Sequence, residues 1–190
     1  MTGSHDTLVS FEDVTDELAD PLRRYFVRLV GDRSAADDLL QETLLKIARA
    51  LPRFEGRSSV KTWAFSIATR VATDHFRRPD NRARVVALDE TEPLPTSDLN
   101  VEDRLVIEEM SDCVREVIDS LPTDYKTALV LHDLQGLSAA EVADIAECSL
   151  ATAKIRIHRA RRRLKQALEH ECTFYRDDEN VFRCDRRPGS

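Results

Sequence analysis

The sequence predicts an all-α protein of two small helical domains joined by an acidic, proline-containing linker, the second domain carrying a helix-turn-helix; a short β-hairpin is one reading of the C-terminal tail. Three observations lead there. Apolar residues recur at helical spacing on both sides of the chain's middle. Between them, Asp89 to Asp112 holds nine Asp/Glu against one Arg, around Pro93, Pro95, Thr96 and Ser97, which is linker composition. Finally, Leu137 to Leu168 joins a helix-turn-helix pattern directly to a basic helix. With 190 residues, 33% charged and 6% aromatic, the chain suits modest helical cores rather than one large core. The expected boundaries are a flexible head at 1–17, a first domain at 18–84, a linker at 85–104, a second domain at 105–169 and a tail at 170–190.

In the first domain, Leu18, Leu22, Tyr25, Phe26, Leu29 and Val30 form one stripe that Gly31-Asp32 ends. Ser34 then caps a second helix with Ala36, Leu39, Leu40, Thr43, Leu44, Ile47, Ala48 and Leu51 inward, and Asp38, Gln41, Glu42 and Lys46 outward, until Pro52 stops it. Arg53 to Ser59 is a loop. Ser58 or Ser59 caps the third helix, whose apolar stripe is Val60, Trp63, Ala64, Ile67, Ala68 and Val71. Trp63 is read as core. The outer face of this helix and its continuation is basic, with Lys61, Arg70, Arg77, Arg78, Arg82 and Arg84 outnumbering Asp74 and Asp80, a pattern that attracts phosphates.

In the second domain, Cys113, Val114, Val117, Ile118 and Leu121 begin the packing, and Pro122 to Leu134 continues as a helix closed by Gly136. Ser138 and Glu141 form a capping box for a helix burying Val142, Ile145 and Ala146. Glu147 and Cys148 make the turn. Ser149 caps a helix with Ala153, Ile157, Ala160 and Leu164 on one face, and with seven Lys/Arg and no acid between Leu150 and Lys165. The whole chain carries a formal charge of −7, so affinity for DNA rests on segregating positive charge to one surface. No Gly-rich phosphate loop, nucleophile–base arrangement or paired carboxylates suggests an enzyme. His132 and His158 lack an acid or second histidine at catalytic or metal spacing. No apolar run approaches a membrane span, and the first thirty residues do not resemble a signal peptide, so the expected location is the cytoplasm.

The segments DDLLQETLLKIARALPRF, SSVKTWAFSIATRVATDHFRRP and the helix-turn-helix, in this order, resemble a bacterial extracytoplasmic-function sigma factor over roughly Leu18 to Leu168. The resemblance implies a non-enzymatic protein that binds core RNA polymerase and carries it to promoter DNA. It implies that Asp38, Gln41 and Glu42 dock on the clamp helices of the largest polymerase subunit. It further implies that Arg53 to Ser59, Phe54 included, and the Arg70, Asp74, Arg77 and Arg78 surface hold the melted −10 element. Thr152, Lys154, Ile155, Arg156 and Arg159 then meet the −35 element. Such proteins often have Asn where this chain has Arg70, and a glycine-containing turn where it has Glu147. An anti-sigma factor is the usual further partner.

The tail is open between two readings. Thr173 to Arg176 and Val181 to Cys184 are β-prone runs around Asp177 to Asn180, a register that sets Cys172 beside Cys184. With His170, and Cys148 as a fourth group, they would form a zinc or copper site or a redox switch. Alternatively, Phe174, Tyr175 and Phe182 dock the hairpin on the second domain, and no cofactor is required. A helix-turn-helix regulator or a metal sensor acting without polymerase is the competing reading of the whole.

Overall fold

The structure, a computed structural model, describes residues 10–78, 117–176 and 182–186, with backbone alone for 171, 174 and 182–186. The expected linker, Arg82, Arg84, Cys113 and Val114 lie outside the described residues. Helix α1 spans Phe11–Val30. It starts earlier than the expected head boundary at 17, because Ser10 and Asp13 form a reciprocal capping box in which an aspartate takes the usual glutamate's place. Val14 is already core. Gly31, at φ 71°, closes the helix with its N–H on the Val27 carbonyl. Helix α2 spans Arg33–Ala50, and its cap is Asp32, which accepts from the Ala35 N–H; the expected Ser34 lies inside the helix. A single 3-10 turn, Leu51–Arg53, carries Pro52 and leads to α3, Val60–Arg77, capped by Ser59.

The first lobe packs Leu18, Leu22, Tyr25, Phe26 and Leu29 of α1 against Ala36, Leu39 and Ile47 of α2 and Ala64, Phe65, Ala68 and Val71 of α3. Tyr25 meets Phe65 edge-on, centroids 5.4 Å apart, and its hydroxyl lies 2.7 Å from the Thr69 hydroxyl. Burial pushes the Tyr25 phenol well above its ordinary value, against the opposing effect of the Thr69 hydrogen bond. The buried face of α3 differs from the expected stripe. Thr62, Phe65, Thr69, Ala72 and Phe76 are buried, while Val60, Trp63 and Ile67 are only half-buried, because α3 is covered on two sides. Ala48, expected inward, is exposed.

In the second lobe, residues 117–120 are helical and α4, Thr123–Leu129, passes into a π-helical turn, Val130–Leu134, that ends at Gly136, φ 69°. Helix α5, Ala139–Ile145, has the expected Ser138–Glu141 capping box, and α6, Leu150–Glu171, is capped by Ser149. Val117, Ile118, Leu121, Tyr125 and Leu129 pack against Ala160 and Leu164 of α6. Strands β1, Cys172–Arg176, and β2, Phe182–Arg186, pair antiparallel. The register differs from the expected one: Cys172 opposes Arg186 and Cys184 opposes Phe174, because the connection is longer and the second strand runs on to Arg186.

The two lobes pack directly. Ala128, Val130, Leu131, Leu137, Val142, Ala143, Ile145, Ala153 and Ile157 of the second lobe belong to the same continuous buried cluster as the first lobe's core. Polar contacts reinforce this contact. The Lys126 ammonium, almost buried, donates to the Leu29 carbonyl at the end of α1 at 3.5 Å and to Asp119 at 2.9 Å.

Candidate polymerase and nucleic-acid interface

Helix α2 presents Asp38 and Gln41 to solvent, with Glu42 half-exposed beside them. The spacing 38, 41, 42 places all three on one edge. Glu42 is paired with Lys46 one turn on, at 2.9 Å, and Leu45 stands 54% exposed on the same side. An exposed leucine among carboxylates and amides has no packing role within the lobe, so this edge offers both apolar and acidic contact. The sequence pattern alone put no weight on Leu45.

Before α3, Phe54 is half-buried and its ring lies 4.9 Å from that of Trp63 at 42°. The expected assignment of Trp63 to the core is corrected in part. It is partly buried and packs against the core while also meeting Phe54, since the fully buried side of α3 carries Phe65 and Thr69 instead. Along α3, Arg70, Asp74, Arg77 and Arg78 are exposed. Arg70 is engaged across the lobes. Its Nε and Nη2 donate to the same Glu147 oxygen at 3.0 and 2.8 Å.

On α6 the five expected DNA-contacting residues separate. Lys154 is exposed, whereas Thr152, Ile155, Arg156 and Arg159 are half-buried. The Thr152 hydroxyl sits 2.8 Å from the Ser149 hydroxyl at the cap. Arg156 pairs with Asp124 of α4 at 2.7 Å, its side chain 21% exposed, and Arg159 donates to the Tyr125 hydroxyl at 3.4 Å. Near the start of the helix the exposed residues are Leu150, Ala151 and Lys154, and towards its end Lys165, Gln166, Glu169 and His170. Arg156 and Arg77 both line a cavity of about 560 Å³ between the lobes, with Thr69, Thr73 and Phe76 from α3 and Thr123 and Thr127 from α4.

The expected tail site of His170, Cys172 and Cys184 requires the Cys184 side chain, which lies outside those described; His170 is exposed and Cys172 buried. Cys172 is disulfide-bonded, and a sulfur in a disulfide is not a thiolate ligand. Cys148 is a free thiol. Cys148 packs half-buried on the core. Of the residues expected to dock an apolar hairpin, Tyr175 is 43% exposed, and the side chains of Phe174 and Phe182 lie outside those described.

Comparison with known proteins bears on this arrangement. Residues 14–82 match Sigma-70 region 2, and residues 111–164 match Sigma-70 region 4. RNA polymerase sigma factor SigZ of Bacillus subtilis is 32% identical over 169 residues, 89% of this chain and 93% of that protein. ECF RNA polymerase sigma factor SigC of Mycobacterium tuberculosis is 38% identical over 136 residues, 72% of this chain and 71% of its own length. The chain belongs to the extracytoplasmic-function sigma factors. Its fold agrees with the solved sigma factor RpoE of Bartonella quintana, in complex there with the anti-sigma factor NepR, at a TM-score of 0.64 and 24% identity over 84% of this chain and 96% of that one. Like other sigma factors it is an initiation factor rather than an enzyme. In this sigma factor α1–α3 constitute region 2, α4–α6 constitute region 4, and no described helix is long and apolar enough to cross a membrane.

The sequence reading of the sigma factor missed the residues that join its regions: Lys61, Thr62, Lys126, Gln135 and Glu141. Helical periodicity points a side chain inward or outward but does not say what stands opposite. The unusual Arg70 and Glu147 were the available signal.

Proposed function

We propose that this chain directs core RNA polymerase in the cytoplasm to promoters with a −10 and a −35 element. Region 2 then engages polymerase through Asp38, Gln41, Glu42 and Leu45. Phe54 with Trp63 supplies aromatic faces on which an unstacked base can rest, and Arg77 and Arg78 hold the strand through its phosphates. Region 4 enters the major groove with the start of α6, where Lys154 is the exposed cation, and Arg156 joins it on release from Asp124. The observation that carries this reading is the occurrence, in order, of both regions on folded helical lobes. The named relatives support the polymerase partner, and the solved relative bound by an anti-sigma factor supports a protein antagonist for the same faces.

We read the tail as a thiol-redox input rather than a metal site, since the Cys172 sulfur lies in a disulfide and cytosolic disulfides are usually transient, catalytic or redox-sensing. In-vitro transcription of genomic fragments by core polymerase, with the chain reduced or oxidised, tests both points. Promoter-specific transcripts are expected. Absence of core binding overturns the sigma reading, and equal transcription from both redox forms overturns the redox input.

A further inference from the structure

Helix α3 turns one stripe toward the second lobe. Lys61 Nζ donates to the Gln135 carbonyl at 2.6 Å, Thr62 donates to Glu141 Oε1 at 2.8 Å, and two turns on Arg70 donates to Glu147. Thr69, Thr73 and Arg77 continue the stripe along the cavity that Arg156 also lines. Positions 62, 69, 73 and 77 lie on one helical face. This face includes two of the cations assigned to the −10 strand, Arg70 and Arg77.

Glu147 stands at the tip of the helix-turn-helix turn with φ 51°, a backbone conformation that glycine adopts without strain and a glutamate does not. A side chain is nonetheless present, and its carboxylate occupies Arg70 as a phosphate would. If promoter elements near −10 and −35 lie about 25 base pairs apart, they are separated by roughly 85 Å of duplex at ~3.4 Å per pair. Arg70 and the turn of the DNA-reading motif are 2.8 Å apart. The described shape therefore cannot serve both elements at once.

We infer that Arg70 and Glu147 form an intramolecular latch: the turn of the helix-turn-helix acts as a phosphate mimic on α3, so that DNA and the second lobe compete for one face. The latch is a property of the chain by itself, while its effect on promoters rests on the function proposed above. Both side chains are about two-thirds exposed, at 64% and 66%, so the pair is screened by salt and adds a modest bias to a lobe contact whose bulk is the shared apolar core. Lys61–Gln135 and Thr62–Glu141 hold the register in which the latch closes.

Small-angle scattering of the full chain, without polymerase or DNA, separates the latch from the sigma reading. The ratio of open to compact species is measured at roughly 0.05 and 0.5 M salt. Glu147→Gln and Arg70→Glu should each raise it by about two- to five-fold at low salt and blunt its salt response. The charge-swapped double variant, Arg70→Glu with Glu147→Arg, should return it to the wild-type value, with far-UV circular dichroism confirming that every variant is folded. Single variants as compact as wild type, or a swap that fails to restore compaction, would overturn the latch.

Discussion

Asp133 keeps 3% of its side chain exposed and survives there because Arg161 of α6 forms two hydrogen bonds to its carboxylate. Removing one partner strands a charge in a low-dielectric site. Arg161→Met is therefore expected to destabilise the second lobe by about 3 kcal/mol, read from the urea midpoint, whereas Asp133→Leu with Arg161→Met should recover most of the loss. Glu141 carries a different kind of residue-scale prediction. The Ser138 backbone N–H, then the Thr62 and Ser138 hydroxyls, hold its carboxyl below its ordinary value of 4.5. The folded state thus binds its proton less readily than the unfolded one. Its contribution is complete above pH 4.5 and is lost as pH falls through the lower, folded value. In acid titrations the stability difference between wild type and Glu141→Gln should shrink below that point; a difference independent of pH would exclude this linkage. At this scale the sequence was half legible. The capping role of Glu141 follows from its spacing to Ser138, but its bond to Thr62, 79 positions away, follows from the packing of two lobes and leaves no local mark.

Among the elements, the helix-turn-helix was read closely because each of its devices is local: a box at Ser138, a cap at Ser149 and apolar Val142, Ile145, Ala153 and Ile157 between them. The first helix was read short, since Ser10–Asp13 is a box of unusual composition. The faces of α3 were misread because the 3.6-residue period finds the apolar stripe, whereas Thr62 and Thr69 are buried through their hydroxyl bonds. The turn between α5 and α6 allows backbone and charge to be separated. Glu147→Gly and Glu147→Gln both lose the pair with Arg70, but only glycine relieves the left-handed conformation at φ 51°. The glycine variant should melt at higher temperature than the glutamine variant, by an amount equivalent to about 1 kcal/mol. Equal stabilities would mean that the turn relaxes in the variants. On α6, the pairing of Arg156 with Asp124 explains why charge counting overrated its freedom: seven cations on one helix signal a basic surface, but not which of them are held by the neighbouring helix.

For the whole molecule, the continuous core matters more than the two-region division. Leu131 and Val142 are fully buried in the same cluster as Tyr25 and Phe65. Phe65→Ala should accordingly cost about 3–5 kcal/mol and also raise hydrogen exchange in α5, which Phe65 would not affect if the lobes folded independently. An unchanged α5 would show that the lobes separate before they unfold. The acidic, proline-containing stretch made two lobes legible, and nothing in it could reveal that they close on each other, because docking depends on surfaces contributed by both.

The tilted contact of Phe54 with Trp63 has a practical consequence. Trp63 is the sole indole in the chain, half-buried in the first turn of α3 with the Phe54 ring beside it. A nucleobase resting there would displace or cover that ring and change the indole's quantum yield. Strand opening would then be recorded by a native chromophore in real time, with no dye attached to protein or DNA.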